Sequence, residues 1–144
     1  MLQLLTMRKR ETLPQSLKAF TLTEVLVVLI IIGILILLAL PNLMPLITKA
    51  KATEAKLQLQ HVYMLEKNYF YEKSRYSKDL TEISFEQQKM TPDGGQANYR
   101  IEIVDANNAG FVARATSVVD FNGDGNFNVW EIDQNQHLVE TKPD

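Results

Sequence analysis

Residues 18–41 read KAFTLTEVLVVLIIIGILILLALP, and the reading of this stretch decides the fold. Within it Val25–Leu40 runs for sixteen residues without a charged or hydrogen-bonding side chain, and Phe20 and Leu22 extend the apolar character toward the N-terminus. From Phe20 to Leu40 is 21 residues, which as a helix spans roughly 31 Å, against a bilayer hydrocarbon core of about 30 Å. The segment is long enough to cross a membrane once. A removable secretory signal has a shorter apolar core, of about 7 to 15 residues, followed by small residues at the cut site. Here the run ends in Leu40, Pro41 and Asn42 with no A-x-A pattern, so a lasting membrane helix is a better expectation than a removable signal.

Outward from this stretch, residues 1–19 carry Arg8, Lys9, Arg10 and Lys18 against Glu11 alone. An excess of positive charge before the span places the leader on the cytoplasmic side and the chain after Pro41 outside, although Lys49, Lys51 and Lys56 weaken the asymmetry. Glu24 is the anomaly of the span, because an acid costs about 2.5 to 3.5 kcal/mol at the centre of a bilayer helix and less near its edge. One reading has its carboxylate reach back to the headgroups. The other gives it a partner: a cut between Ala19 and Phe20 would create an amine four residues from Glu24, and the amine of a neighbouring subunit would then pair with the carboxylate. In a low-dielectric bundle such a contact sets the stagger between adjacent helices.

The run Lys18, Ala19, Phe20, Thr21, Leu22, Thr23, Glu24, with the apolar segment and Pro41 behind it, resembles the class III leader and N-terminal helix of type IV pilins and type II secretion pseudopilins. The resemblance implies cleavage between Ala19 and Phe20 by a prepilin peptidase, N-methylation of Phe20, and an assembly role for Glu24. Counted from Phe20, Glu24 is the fifth residue and Pro41 the twenty-second, the positions at which this family carries its glutamate and, often, its proline. Two departures stand out. Ala19 occupies a position usually held by glycine, and Pro45 adds a second proline four residues after Pro41, where a bend or loosening of the helix is expected. Met7 competes with Met1 as the start.

The rest of the chain fits one small domain. Of 144 residues, 15 are basic and 17 acidic; setting aside the four basic residues and one acid of the leader leaves eleven against sixteen from Phe20 onward. That balance offers no clustered basic face for nucleic acid. There is no cysteine, which excludes disulfides, thiolate metal sites and a cysteine nucleophile. With two histidines, His61 and His137, and no nucleophile elbow, phosphate loop or H-E-x-x-H helix, no catalytic constellation appears, and the chain reads as a non-enzyme.

The expected organisation is a leader (1–19), a transmembrane and assembly half of the helix (20–46), an amphipathic half (47–73), a connecting loop (74–97) and an antiparallel meander (98–144). In the second half Ala52, Ala55, Leu59, Val62, Tyr63, Tyr69 and Phe70 fall near helical spacing, interrupted by Glu66. The aromatic group Tyr63, Tyr69, Phe70, Tyr71 and Tyr76 is expected to pack between helix and sheet rather than to form a binding or electron-transfer surface. Strands are expected where Tyr99, Ile101 and Ile103 alternate with polar residues, over Phe111–Val119, over Val129–Ile132 and over His137–Glu140. The fold class is therefore α+β and pilin-like, a long N-terminal helix packed on a small antiparallel sheet.

Within the meander, Asp120, Asn122, Asp124, Gly125, Asn126 and Glu131 match a calcium-binding loop over 120–131. Oxygen ligands stand at positions one, three and five, glycine at six, a backbone carbonyl at seven, Asn128 at nine to bind through water, and glutamate at twelve. The plain alternative is an Asn/Asp/Gly turn. Strand flanks put Glu131 in question as the last ligand, with Asp133 as its substitute. A structural Ca²⁺ ion in place of a disulfide resembles the practice of major pseudopilins.

That feature and the missing cysteines lean the reading toward a type II secretion pseudopilin that assembles into a periplasmic pseudopilus for protein export. A type IV pilus pilin serving adhesion, motility or DNA uptake is the alternative, and a non-polymerising, membrane-anchored calcium-binding surface protein is the third. The family resemblance implies a homo-oligomeric filament, the prepilin peptidase, an inner-membrane assembly platform and minor pilins as partners. It also implies a single-pass inner-membrane precursor whose C-terminal domain lies outside the cytoplasm before it joins a periplasmic or extracellular filament.

Overall fold

The computed structural model describes residues 19–144; Met7, Lys18 and the remainder of the basic leader lie outside the described residues. One helix, α1 (Leu22–Lys73), is followed by a single 3₁₀ turn at Thr91–Asp93 and four strands, β1 (Tyr99–Ala106), β2 (Phe111–Ser117), β3 (Val129–Asp133) and β4 (Leu138–Lys142). The α+β expectation is met.

The helix stays helical through both prolines. Neither proline has an N–H, so the carbonyls of Leu37 and Pro41 lose the donor four residues on. The chain divides into two compact units between Leu37 and Leu38, at the first of those carbonyls. In the first unit no residue from Ala19 to Leu37 is buried, and this apolar length meets the requirement for a membrane span. In the second unit α1 ends at Ser74, which takes a left-handed conformation (φ 56°) and donates its N–H to the Phe70 carbonyl at 2.8 Å, the αL form of a helix stop.

In that unit α1 buries Ala52, Ala55, Leu59, Val62 and Glu66, at intervals of three and four that keep to one face. Ala55, Leu59 and Val62 join Tyr99, Ile101 and Ile103 of β1, Phe111, Ala113 and Ala115 of β2 and Ile132 of β3 in one core cluster. The sheet is an antiparallel meander in the order β1-β2-β3-β4, and the alternation over Tyr99–Ile103 of β1 and along β2 follows from having one face on this core. The aromatic residues behave largely as expected of packing. Phe70 stacks on Tyr76 with ring centroids 4.7 Å apart, Tyr76 meets Phe111 at 5.1 Å, and Tyr71 alone stands 80% exposed.

Three sequence expectations are adjusted. Strand β2 stops at Ser117 rather than Val119, because the Val118 N–H goes to the Asn98 carbonyl (2.8 Å) instead of to a ladder partner. Strand β4 begins at Leu138 rather than His137, since Asp133 Oδ1 accepts the N–H groups of Asn135 (2.9 Å) and His137 (3.0 Å) and holds them in the β3–β4 turn. Residues 74–97 are more than a polar connection: Tyr76, Ile83, Phe85 and Met90 are buried, and Gln87 closes the outer edge of β1 by accepting the Ile101 N–H at 2.7 Å.

Candidate functional site

Ala19 and Phe20 precede α1 and are exposed, Phe20 by 83%. The bond between them therefore lies outside the helical hydrogen-bond ladder, whose first described bond runs from the Val25 N–H to the Thr21 carbonyl at 3.2 Å. A cut there would break none of that ladder. Just beyond it, Thr21 and Glu24 cap the helix reciprocally. The Thr21 N–H donates to Glu24 Oε2 at 2.7 Å and the Thr21 hydroxyl to the same oxygen at 2.9 Å, while the Glu24 N–H donates to Thr21 Oγ1 at 3.2 Å. This is a capping box.

The box gives Glu24 a local reason to exist. Backbone N–H groups at a helix start have no intrahelical acceptor, and an unsatisfied one costs several kcal/mol in a bilayer core. The signature T-x-x-E was present in the sequence; reading Glu24 only as a charge in an apolar span overlooked it. Both the box and the proposed intersubunit pairing place the carboxylate at the end of α1 where a new amine on Phe20 would appear, so the two roles are compatible.

Toward the C-terminal part of the chain, half-buried Asp120 and exposed Asn122, Asp124 and Asn126 are brought into one loop. Asp120 accepts the N–H of Gly123 through Oδ1 (2.6 Å) and of Gly125 through Oδ2 (2.7 Å). Asn122 Oδ1 accepts the Asp124 N–H at 2.8 Å, and Asp124 Oδ1 accepts the Asn126 N–H at 2.7 Å. Gly123 and Gly125 supply the positive φ angles (79° and 84°) that wind the loop. The Asp124 carboxyl is held below its ordinary range, chiefly by the Asn126 backbone N–H.

The expected twelfth position does not join this group. Glu131 sits on β3, where its Oε1 receives both Nε and Nη2 of Arg114 at 2.7 Å, and Asp133 is occupied in the β3–β4 turn. Among the described residues no three acidic or imidazole side chains gather into a metal-binding cluster. The oxygen chemistry of positions one, three and five suits Ca²⁺, and the strand context takes the glutamate away.

Asn128, the ninth position, is a different kind of residue from the one its spacing suggested. It is fully buried. Its Oδ1 accepts the Tyr99 hydroxyl and the Trp130 indole N–H, each at 2.7 Å, and its Nδ2 donates to Glu140 (2.6 Å) and to the Lys142 carbonyl (3.1 Å). Asn128 thus ties β1, β3 and β4 together beneath the loop.

Glu66 is the residue that sequence reasoning registered only as an interruption. It is fully buried, with Oε2 accepting the Ser77 N–H at 3.0 Å and Oε1 without a partner among the described residues. Burial pushes its carboxyl up to about 7, against the smaller opposing effect of the Ser77 N–H and with the Glu82 charge adding to the rise. Its sequence signal was position: an acid at the phase of a helical stripe that is otherwise apolar.

No protein-family model matches the chain. It is similar to the type IV major pilin protein PilA of Myxococcus xanthus strain DK1622, with 38% identity over 84 residues, 58% of this chain. The match covers 36% of that protein's length, so the chain aligns with about a third of the relative. The resemblance read from residues 18–41 is borne out at the level of a pilin-like chain with a long apolar N-terminal helix and a four-stranded antiparallel sheet.

Proposed function

We propose that this chain is the precursor of a type IV pilus subunit. The supporting observation is its 38% identity to a protein described as a type IV major pilin, and it moves the reading away from the secretion pseudopilin toward which the calcium-like loop leaned. In this proposal the apolar start of α1 anchors the precursor in the bacterial inner membrane, a prepilin peptidase cuts between Ala19 and Phe20, and Phe20 is N-methylated. The subunit then leaves the bilayer for an extracellular filament, with the help of an assembly platform and minor pilins.

The physical logic rests on the exposed apolar residues from Leu22 to Leu40. Each buried methylene is worth about 0.8 kcal/mol relative to water, so these side chains leave lipid only for another apolar surface, and a bundle of identical helices supplies one. Glu24 gives that bundle its register by pairing with the amine of Phe20 on a neighbour. Glu24→Ala is expected to leave the precursor in the membrane and abolish filaments, and normal filaments from this variant would refute the pairing.

The secretion reading keeps one specific observation, the loop built from Asp120, Asn122 and Asp124. We propose Ca²⁺ as its ligand, held by those residues and the Asn126 carbonyl without Glu131. Deleting the gene separates pilus from secretion apparatus: loss of surface filaments with secretion intact supports the pilus, and the reverse supports the pseudopilus.

A further inference from the structure

The turn that follows α1 is fastened to the helix by a buried acid. The Ser77 N–H ends on Glu66 Oε2 at 3.0 Å, and both residues are buried. Glu66 Oε1 has no hydrogen-bond partner among the described residues. Neutral, this carboxyl is a tolerable member of an apolar stripe; ionised, it is a buried charge with one donor, and a buried charge without full hydrogen bonding is expensive.

The neighbourhood makes ionisation harder. The Ser77 hydroxyl donates to Glu82 Oε2, which also accepts the Tyr69 hydroxyl at 3.1 Å. These bonds, with Arg75 nearby, hold Glu82 below the ordinary glutamate range and therefore charged. Asp79, whose Oδ1 accepts from the Thr81 N–H at 2.8 Å and hydroxyl at 2.7 Å, is likewise anionic. Of the nearby cations, Arg75 donates to the Tyr69 hydroxyl at 3.0 Å, Lys67 lies over the Tyr63 and Tyr76 rings and donates to the Tyr76 hydroxyl, and Lys73 and Lys78 are exposed. His61, the histidine on this part of α1, lies against Phe85 with ring centroids 5.8 Å apart. From the sheet side the segment receives the Asn107 carbonyl, which accepts the Tyr76 N–H at 3.2 Å.

The segment also begins and ends on strained backbone. Ser74 (φ 56°) and Ser84 (φ 61°) both occupy the left-handed region without being glycine, a conformation that costs an L-residue energy and persists only while its surroundings enforce it.

We infer that Glu66 is a proton-operated latch for the turn centred on Ser77: protonated, it keeps the turn closed on α1, and ionised, it drives local opening that carries the carboxylate to water. The open turn would span Ser77–Thr81, while Tyr76, Ile83 and Phe85 remain anchored in the core. The device makes the mobility of this surface depend on pH around neutrality, independently of whether the chain builds a pilus.

Hydrogen exchange of the full chain in detergent micelles tests it, with amide rates corrected for intrinsic pH dependence. One linked proton makes the opening constant of the Ser77 amide rise about tenfold per pH unit between pH 5 and 7 and level off above. Glu66→Gln should remove that slope, because its amide can still accept the Ser77 N–H and has nothing to ionise. Should this variant fold poorly, Glu82→Gln serves instead: it takes away the repelling charge, so the levelling point should move to lower pH. His61→Gln should leave the profile unchanged. A flat wild-type profile, a slope that survives in Glu66→Gln, a levelling point unmoved by Glu82→Gln, or a slope abolished by His61→Gln would each overturn the latch.

Discussion

The two halves of α1 solve opposite problems with one backbone geometry. From Leu22 to Leu37 every side chain is exposed and nearly every one is apolar, whereas from Ala52 to Glu66 a single stripe is buried and polar residues fill the flanks. Each half also carries one out-of-place carboxylate. Glu24 is exposed at the end of its half and spends its oxygen on the helix cap; Glu66 lies sealed in the core with half its hydrogen-bonding capacity unused. The difference teaches that an acid in an apolar stretch is read by where its missing partner must come from. For Glu24 that partner is supplied by the helix terminus and, in the proposed filament, by a neighbouring amine. For Glu66 it is a proton.

Substitutions on the two halves should therefore behave differently. Leu59 is fully buried in the core cluster, and Leu59→Ala is expected to destabilise the C-terminal domain by about 2 to 5 kcal/mol in thermal or denaturant unfolding. Leu35→Ala, in the exposed half, should leave that same transition within about 0.5 kcal/mol of wild type. Equal effects would break the distinction between the halves.

Glu66 sharpens the contrast through pH. Its folded-state carboxyl is raised to about 7 from 4.5, so the folded chain holds a proton that the unfolded chain has released. Stability should then be greatest below about pH 4.5, fall as pH rises to about 7 and stay level above, with other groups superimposed. Glu66→Gln should remove that fall and at pH 8 gain up to about 3 kcal/mol over wild type, seen as a higher midpoint. A variant less stable than wild type at pH 8 would contradict this reading.

A next smaller effect belongs to the Asn128 hub. Asn128→Ala strands the buried Tyr99 hydroxyl and removes bonds to Trp130, Glu140 and Lys142, for an expected loss of about 1 to 3 kcal/mol. The smallest concerns the loop above it. Gly125 has φ 84° with open space around it, so Gly125→Ala should cost about 1 kcal/mol from backbone strain alone. If Ca²⁺ binds there, titration should raise the wild-type unfolding midpoint progressively, and no shift at saturating ion would leave a plain turn.

Much of this was legible in the sequence for identifiable reasons. The span stood out because sixteen consecutive apolar residues have no other economical home, and β1 and β2 because one-sided burial imposes period-two alternation. Two kinds of feature were not. Glu131 and Asn128 were assigned by spacing within a ligand pattern, but β3 turns Glu131 to Arg114, and Asn128, just before that strand, is sunk into the core. The Ser77–Glu66 contact joins residues eleven apart across a reversal of the chain, which periodicity within one element does not encode. The Thr21–Glu24 cap was legible and was obscured by the more conspicuous charge.

The central claim is that α1 is exposed by a cut before Phe20 and then built into filaments. Intact-mass and peptide analysis of filaments sheared from cells tests it directly. The expected subunit begins at N-methylated Phe20; an N-terminus that still carries the residues before Phe20, in material that has nonetheless assembled, would contradict it.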